Sequence, residues 1–274
     1  MFVGTSGWRY ASWRGDFYPK GLVQRRELEY LASRLGSVEL NGSFYSLQKP
    51  ESYDRWREQT PPGFRFAVKG SRYITHMVGA GSRAGAKADN TDNTDNTDNT
   101  ANKTKQDAAI ERFFTSGVTR LGDRLGPILW QLPARQPFEK DRLEAFCSAL
   151  PRRRDGHLLV YALEPRHPSF ADPAARRVLK KHGIALVVSD GAGSWPVFTE
   201  ATGGVVYLRL HGPDELYHGG YGPKQLTHWA GTARHLATAD GRDNRPRDVY
   251  IYFDNDADGC APHDALAMAD TLTK

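Results

Sequence analysis

The clearest chemical signal in the chain is the point where an apolar run stops and charged side chains begin. Residues 158–163 are almost wholly apolar, which is typical of a strand buried on both faces of a parallel sheet. Glu164 and Arg166 follow at once, held in a stiff segment by Pro165 and Pro168. Such groups after a buried strand are typical of an active site at the mouth of a parallel barrel, although a simple ion pair that caps the strand would use the same two residues.

The same transition recurs along the chain, because other strand-like runs also end in ionisable, amide or aromatic side chains. The carboxyl ends of parallel strands meet at one face of a barrel, so we expect these side chains to converge there. The candidate site residues at or just after the strand ends are Trp8, Glu39, Asn41, Lys69, His76, Gln131, Glu164, Arg166, Asp190, Arg209, His211, Asp254 and Asn255.

Acid–base chemistry is the first function that these residue types predict. Glu164 and Asp190 are the expected proton-transfer groups, and His211 is expected to assist them. Cations at the same strand ends would keep the carboxylates ionised at neutral pH. We therefore predict Glu164, Asp190 and His211 as catalytic residues.

Three cations in the same set predict a binding site for a phosphate or carboxylate group. Arg166 and Arg209 would bind it through planar forks, and Lys69 as a point charge. The predicted partner is a small anionic ligand, phosphorylated or sugar-like. The other residues predicted to bind or orient it are Trp8, Glu39, Asn41, His76, Gln131, Asp254 and Asn255.

Metal-assisted hydrolysis is a competing chemistry. Its permissible ligands are His76, His211, Glu39, Glu164, Asp190 and Asp254. The chain has no H-x-H or H-E-x-x-H pair, and three cations at the same mouth oppose an added dication. We predict no cofactor, with a divalent metal as the less favoured alternative.

Nucleic-acid binding is the other competing function. Arg72 and the three cations at the strand ends would suit phosphate contacts, while Trp8, Tyr45, Tyr73 and Tyr221 offer faces for an unstacked base. Aromatic side chains at such positions more often pack the rim of the barrel. A non-catalytic scaffold or ligand sensor is a third interpretation.

The composition bounds the class of protein. The chain has 274 residues, 39% of them hydrophobic, and a net charge of +5, which permits an anionic partner without requiring one. Cys147 and Cys260 are the only cysteines, which argues against a disulfide scaffold or a four-thiolate zinc site. No secretory signal and no run of about 20 apolar residues is present, so we expect a cytoplasmic protein without membrane association. The oligomeric state is not predicted.

Eight strand-like runs alternate with helical segments, which favours a parallel sheet closed into a barrel. A doubly wound open sheet is the alternative, weakened by the lack of a glycine-rich phosphate fingerprint after the first strand. We predict an α/β fold, a single TIM-type (β/α)8 barrel over residues 1–274. The predicted strands are 2–5, 37–41, 64–69, 126–133, 158–163, 184–190, 205–212 and 249–255, and a helix is predicted over residues 107–121.

A low-complexity insertion interrupts this alternation after the third strand. Residues 79–106 contain four tandem Asp-Asn-Thr triplets at 89–100 and no aliphatic periodicity. Such a segment buries too little to offset its ordering entropy, so we expect it to be disordered. The triplets lack the glycine turn and the terminal glutamate of an EF-hand calcium loop.

Several motifs together resemble one known family. They are Gly4-Thr5-Ser6-Gly7-Trp8, Val38-Glu39-Leu40-Asn41, Ser43-Phe44-Tyr45, Ile74-Thr75-His76, Leu129-Trp130-Gln131-Leu132-Pro133, Glu164-Pro165-Arg166-His167-Pro168-Ser169, Leu208-Arg209-Leu210-His211-Gly212 and Phe253-Asp254-Asn255. They run in order along almost the whole chain and resemble the YecE-like family, also called domain of unknown function 72. The resemblance implies a TIM-type barrel without naming a reaction. The barrel of this family is similar to those of apurinic-site endonucleases and sugar isomerases. This is an analogy of fold, which is weak evidence for function.

Overall fold

Parallel strands ringed by helices form the core of the protein. The computed structural model describes residues 1–78, 95–238 and 246–273, and within 77–78 and 95–102 it describes the backbone alone. The strands are β1 (Phe2–Ser6), β2 (Ser37–Leu40), β3 (Arg65–Lys69), β4 (Leu125–Gln131), β5 (Arg153–Arg154), β6 (His157–Leu158), β7 (Tyr161–Glu164), β8 (Ala185–Leu186), β9 (Val188–Asp190), β10 (Val205–Leu210) and β11 (Asp248–Phe253).

The main sheet closes on itself through one broken strand. Its order is β8-β7-β4-β3-β2-β1-β11-β10-β9, and all neighbours are parallel. The two ends of that order, β8 and β9, are consecutive pieces of a single extended segment that is interrupted only at Val187. The N–H of Val187 donates to the carbonyl of Leu163 at 2.9 Å. The nine strands therefore make an eight-stave barrel, and the predicted TIM-type fold is confirmed.

The helices pack against the outer face of the barrel. They are α1 (Glu27–Ala32), α2 (Gly42–Tyr45), α3 (Pro50–Glu58), α4 (Asp95–Thr115), α5 (Lys140–Ala149), α6 (Pro173–His182), α7 (Pro223–Thr238) and α8 (Ala261–Thr273). Helix α6 shows how the sequence sets their ends. Asp172 accepts a hydrogen bond from the N–H of Ala174 at 2.7 Å, Pro173 occupies the first turn, and Gly183 ends the helix at a φ of 68°. In the described residues, no helix has the length and apolar character needed to cross a membrane.

The predicted strand over 158–163 is wrong in its first half. Leu158 belongs to the short antiparallel hairpin β5–β6 and is 65% exposed, whereas the barrel strand β7 begins at Tyr161. The hairpin turns through Asp155 and Gly156, both at positive φ. An Asp-Gly pair with positive φ at both residues favours a two-residue hairpin turn. The hairpin takes up Leu158, so the barrel strand begins later than the apolar composition predicted.

The segment after β3 departs from the prediction in its boundaries. Residues 73–78 form a turn of π-helix, and residues 79–94 of the predicted insertion lie outside the described residues. Helix α4 begins at Asp95, within the last Asp-Asn-Thr triplets, rather than near residue 107. It stops before Gly117, whose φ of 102° ends it and leads into a 3-10 turn, so the predicted helix does not continue to residue 121.

Alternate residues along each strand face the interior of the barrel, because side chains in a strand have a period of two. Halfway up, small and aromatic side chains fill this interior as one buried cluster, which includes Ala67, Leu129, Ala162, Val187, Tyr207 and Tyr252. The opposite faces of the strands join the helices in a larger outer core. Two residues further towards the carboxyl end of each strand, the interior side chains become polar.

Candidate functional site

A ring of polar side chains lies at the carboxyl ends of the barrel strands, one from each of the eight staves. We call it the polar ring: Ser6, Glu39, Lys69, Gln131, Glu164, Ser189, Arg209 and Asp254. Most of its members are buried. Their mutual contacts arise because all eight occupy the same inward-facing parity of their strands.

Arg209 is the centre of the polar ring. Its Nε donates to Glu39 Oε2 at 3.0 Å and its Nη2 to Glu39 Oε1 at 2.8 Å, a bidentate pair. Its Nη1 reaches Glu164 Oε2 at 3.0 Å, and its Nη2 also donates to Asp254 Oδ2 at 3.1 Å. One guanidinium, itself 1% exposed, therefore binds three carboxylates.

Glu39 is held as an anion by donors on both oxygens. Ser6 Oγ donates to Oε1 at 2.7 Å, and the Tyr207 hydroxyl donates to Oε2 at 2.6 Å. Burial opposes ionisation of Glu39, but Arg209 and Lys69 outweigh it and keep the pKa of the carboxyl below its usual value. Glu39 therefore positions Arg209 and has no free lone pair facing the opening.

Glu164 is equally saturated. It accepts from Gln131 Nε2 at 2.8 Å, from Ser189 Oγ at 2.8 Å, and from Arg166 Nη2 at 3.0 Å, besides the bond from the central arginine. Burial raises its pKa, yet Arg166 and Arg209 reverse that effect and hold the pKa well below the usual range. Glu164 remains ionised at any physiological pH.

His211 is a neutral hydrogen-bond acceptor in this cluster. Its Nδ1 lies 2.9 Å from the carbonyl oxygen of Asp190, which can only accept, so Nδ1 carries the proton. Its Nε2 then accepts from Arg209 Nη1 at 2.8 Å and faces Arg166 Nη2 at 3.3 Å. Burial and then Arg209 hold the pKa of His211 well below its usual value. The imidazole therefore helps to orient the two arginines.

Lys69 differs from the other members of the ring because its ammonium lacks a hydrogen-bond acceptor within the part of the chain that the structure describes. The side chain is 8% exposed, and Nζ lies 4.3 Å from the centroid of the Phe44 ring, a cation–π contact. Burial, followed by repulsion from Arg209, lowers the pKa of Lys69 to about 8. Its three N–H donors are available to a ligand.

Arg166 brings a second cation to the same opening. Its guanidinium carbon stacks 3.8 Å from the centroid of the Trp195 ring, and Trp195 is itself fixed by a hydrogen bond from Nε1 to Ser189 Oγ at 3.0 Å. Nε and Nη2 of Arg166 bind Glu164, whereas Nη1 makes no hydrogen bond to any described residue. Stacking fixes the guanidinium plane with one donor group left over.

The surroundings of His76 show that this side of the mouth is electropositive. Burial lowers the pKa of His76, and Lys69, Arg135, Arg166 and Arg72 lower it further. The ring is partly buried, and its Nδ1 shares a 2.8 Å hydrogen bond with the Thr75 hydroxyl. A neutral imidazole surrounded by cations is suited to accompany a bound anion.

Two carboxyl groups lie on the opposite side of the ring. The Asp254 side chain is 17% exposed, whereas those of Glu39 and Glu164 are fully buried. Burial raises the pKa of Asp254, although Arg209 opposes the rise. Next along this turn, Asp256 accepts from Trp13 Nε1 at 3.1 Å, and burial followed by repulsion from Asp254 raises its pKa to about 8. Asp256 can therefore change protonation near neutral pH, beside an Asp254 whose pKa is raised from its usual value.

Several predicted site residues lie at the edge of the ring or outside it. Asp190 accepts from the Tyr221 hydroxyl at 2.8 Å and from the N–H of Ala192 at 3.3 Å, with no contact to the central arginine. Asn255 donates to the carbonyl of Gly219 and to Asp264 Oδ2, both at 2.7 Å, and is fully buried. Both residues have the outward parity of their strands.

Other residues of the site were missed from the sequence. They are Ser6, Ser189, Tyr207, Trp195, Tyr10 and Asp256. For the first three, the signal was present in the alternation of the strands. Ser189 stands two residues after the interior Val187, so counting by two selects it instead of its charged neighbour. For Trp195 and Tyr10, which follow the strands on loops, the alternation gives no guide.

Metal ligation gains no geometric support in the described residues. No three His, Cys, Asp or Glu side chains among residues 1–78, 95–238 and 246–273 converge in an arrangement that could hold an ion. The imidazole nitrogen of His211 that faces the ring is occupied by arginine N–H groups. The carboxylates of Glu39 and Glu164 likewise accept hydrogen bonds from arginine N–H groups.

Comparison with known proteins places the chain in one family. Residues 2–274 match the family model described as protein of unknown function DUF72. The UPF0759 protein YecE of Escherichia coli (strain K12) is 28% identical over 196 residues, which cover 69% of this chain and 59% of that protein. The UPF0759 protein YunF of Bacillus subtilis (strain 168) is 24% identical over 302 aligned positions, covering 99% of this chain and 94% of the relative.

A solved structure agrees with the fold. The crystal structure of a DUF72 family protein from Thermotoga maritima superposes with a TM-score of 0.76 at 24% identity, and the match covers 100% of this chain and 99% of that one. At this level of identity the likeness concerns the fold alone. The match spans 59% of the length of the first curated relative, so no activity of that whole protein is assigned to this chain.

Proposed function

The chain belongs to the DUF72 family of proteins of unknown function, and from that premise we propose that it is an enzyme that acts by acid–base chemistry on a small anionic, sugar-like substrate at the mouth of the barrel. The anionic group of the substrate binds between Lys69 and Arg166, beside His76. Its reacting part lies towards Asp254. Arg209, Glu39 and Glu164 hold this arrangement rigid from below.

The observation that carries this proposal is the unsatisfied ammonium of Lys69. The Lys69 side chain is 8% exposed and its ammonium has no acceptor among the described residues, so its hydrogen bonds must come from the little solvent at the mouth or from a ligand. An oxyanion at this position supplies the missing acceptors. The free Nη1 of Arg166 supports it as a second donor, since the other guanidinium nitrogens are bound to Glu164. A site with donors left over on two cations favours phosphate or carboxylate.

Asp254 is the group best placed to transfer a proton. A general base needs an accessible lone pair and a pKa near the working pH. Glu164 has neither, because five N–H or O–H contacts saturate it and its pKa is depressed. His211 is locked by its two arginine contacts, and Asp190 lies away from the ring. The contacts thus favour Asp254 over the three residues that the sequence predicted as catalytic.

Titration with inorganic phosphate and a set of sugar phosphates, followed by calorimetry and thermal unfolding, tests the proposal. A ligand at about a hundred times its dissociation constant adds about 2.7 kcal/mol of stability. We expect this response in the unmodified protein and in the surface control Lys49→Met, and its loss in Lys69→Met. The apo form of Lys69→Met should still fold, since Arg209 remains as the main cation beside Glu39 and Glu164. An undiminished response in Lys69→Met contradicts the proposal.

The proton-transfer role has its own test. For any sugar phosphate that is turned over, Asp254→Asn should abolish turnover and leave binding within about threefold, an energetic change below about 1 kcal/mol. Turnover that survives in Asp254→Asn and is lost in Glu164→Gln would return the catalytic role to Glu164.

A second candidate function, binding of a single-stranded nucleic acid across the mouth, is favoured by two exposed tyrosines. Tyr45 is 70% exposed with Arg72 at 5.8 Å from its ring centroid, and Tyr73 is 44% exposed with Arg112 at 5.9 Å. Exposed aromatic faces beside arginines suit base stacking and phosphate contact. It predicts oligonucleotide binding that falls steeply with salt and is weakened in the double variant Tyr45→Ala/Tyr73→Ala. Binding that does not depend on salt would count against it.

A cytoplasmic location is also a proposal. Cys147 and Cys260 are both free thiols, as is usual in a reducing compartment. Fractionation of the native host, with detection of the chain by antibody, would test it.

A further inference from the structure

A cavity of about 330 Å³ opens beside the polar ring, near the carboxyl ends of β1 and β2. Its walls include Trp8, Tyr10, Asn41, Ser43, Gln48 and Trp56. Arg9 also lines the cavity and is its one charged wall residue; its side chain is exposed, and its guanidinium carbon lies 5.8 Å from the centroid of the Trp8 ring. The other side chains of the wall are aromatic, apolar or neutral and polar, which suits a group that carries hydroxyls.

Two tryptophans form an aromatic corner in this cavity. The ring centroids of Trp8 and Trp56 lie 5.6 Å apart at an interplanar angle of 85°, so one ring presents its edge to the face of the other. Gly7 precedes Trp8 at a φ of 98°, and a Cβ there would lie 3.0 Å from the Tyr10 hydroxyl. The corner thus depends on glycine at position 7, which sets the direction of Trp8.

Two residues of the cavity wall carry polar atoms without partners. Neither Trp8 Nε1, a donor, nor Asn41 Oδ1, an acceptor, makes a hydrogen bond to any described residue, and both atoms are buried. The amide orientation of Asn41 is fixed by its neighbours. Ser6 gives its single hydroxyl proton to Glu39 at 2.7 Å, so Asn41 Nδ2 must donate to Ser6 Oγ at 2.6 Å, and Oδ1 is left over.

We propose that this cavity is a subsite for a neutral, hydroxyl-bearing ring, the sugar ring of the substrate. Such a ring offers C–H groups to an aromatic face and hydroxyls that both donate and accept, so one molecule satisfies Trp8 Nε1 and Asn41 Oδ1 together. The inference deepens the proposed function, because it names the part of the substrate that lies next to the anion site.

The position of Asn41 explains how the subsite is joined to the reacting centre. Asn41 bonds Ser6, Ser6 bonds Glu39, and Glu39 holds Arg209. The chain of contacts is continuous from the wall of the cavity to the middle of the polar ring. A ring bound against Asn41 therefore lies at the edge of the ring of charges, where Asp254 is the exposed carboxylate.

The test uses the full chain and a panel of neutral methyl glycosides and free monosaccharides, with adenosine and uridine as competing neutral ligands. Binding is followed by tryptophan fluorescence and by calorimetry. Trp8→Phe keeps an aromatic wall and removes the N–H, Trp56→Leu removes the second wall, and Trp229→Phe, in helix α7 and outside the cavity wall, is the matched control.

We expect at least one neutral sugar to bind, with affinity reduced about tenfold in Trp8→Phe, a change of about 1.4 kcal/mol, and unchanged in Trp229→Phe. Lys69→Met should keep this neutral-sugar binding while losing phosphate binding. If phosphate binding fails in the parent but sugar binding persists, the anion site is wrong and the subsite stands. The proposal is overturned if no sugar binds, if nucleosides bind instead, or if Trp8→Phe and Trp56→Leu bind as tightly as the control.

Discussion

Arg209 and Glu39 face each other inside the barrel through two parallel hydrogen bonds of 3.0 and 2.8 Å, from Nε to Oε2 and from Nη2 to Oε1. Both side chains are almost completely removed from solvent. Burial of an ion pair is costly unless every lone pair and proton is satisfied, and here hydrogen bonds from Ser6 and Tyr207 complete the carboxylate. The pair therefore fixes the geometry of the site and adds little net stability compared with an apolar pair.

Removal of Arg209 alone should destabilise the protein strongly. Arg209→Met leaves Glu39 and Glu164 buried without their main cation, and breaking a buried pair from one side costs about 3–5 kcal/mol. Urea unfolding at pH 7 measures the change in the free energy of unfolding. The surface variant Arg120→Met, which breaks the exposed pair with Asp54, is the control and should lose far less. A similar loss in the two variants would show that the buried pair has no special weight.

Close packing outside the barrel makes Gly70 another sensitive position. A Cβ at Gly70 would lie 2.1 Å from the nearest ring carbon of Trp130, which is fully buried between Phe113 and Phe146 and cannot retreat. Overpacking of this kind typically costs about 1–3 kcal/mol, so Gly70→Ala should lower the midpoint of thermal unfolding. Gly204→Ala is the control, because nothing lies within 4 Å of its Cβ position. Equal midpoints in the two variants would contradict the packing argument.

The barrel was predictable because its signals are local and repeated. Each apolar run and each helical stripe gives its own evidence, so the misplaced start at Leu158 did not change the number of staves. The central cluster was also partly predictable, since Glu39, Glu164 and Arg209 are charged residues at the ends of apolar strands, where burial requires partners.

Side-chain direction was harder to predict. The sequence predicts Asp190 as a catalytic residue because its carboxylate ends a strand, yet alternation along β9 points Ser189 inwards and Asp190 towards Tyr221. The protonation of His211 was not predictable either. Its neutral state depends on the carbonyl of Asp190 on one side and Arg209 on the other, contacts that exist only in the closed barrel.

The buried carboxyl of Asp256 should make stability fall as pH rises. Its folded-state pKa of about 8 exceeds the unfolded value near 3.9, so the folded state binds this proton more tightly. The contribution is complete below about pH 4 and is lost as pH rises through about 8. Asp256→Asn mimics the protonated carboxyl and should gain stability over the parent with rising pH, by at least about 1 kcal/mol at pH 8.

Chemical unfolding at pH 4, 6, 8 and 9 measures this gain. Asp258→Asn is the control of opposite sign, because the N–H of Gly219 and then His218 lower the pKa of Asp258. Its parent carboxylate contributes stability above about pH 4, so the control variant should lose stability there. A difference between Asp256→Asn and the parent that does not grow from pH 4 to pH 8 would contradict the assignment.

Lys69 should make anion binding depend on pH in a lower pH range than the one in which surface lysines titrate. Its pKa is about 8, so the ammonium is present at pH 7 and is lost as pH rises through 8, whereas ordinary lysines titrate near 10.4. Sulfate is the suitable probe, since its own charge is constant between pH 6 and 10. Its dissociation constant should rise above pH 8 with a slope that approaches tenfold per pH unit, as expected for one linked proton.

The control variant Lys69→Arg keeps its charge throughout and should remove this slope while it preserves binding at pH 7. Calorimetric titration at half-unit steps of pH decides between the outcomes: a constant affinity from pH 7 to 9 in the parent, or an equal decline in Lys69→Arg, would place the bound anion elsewhere.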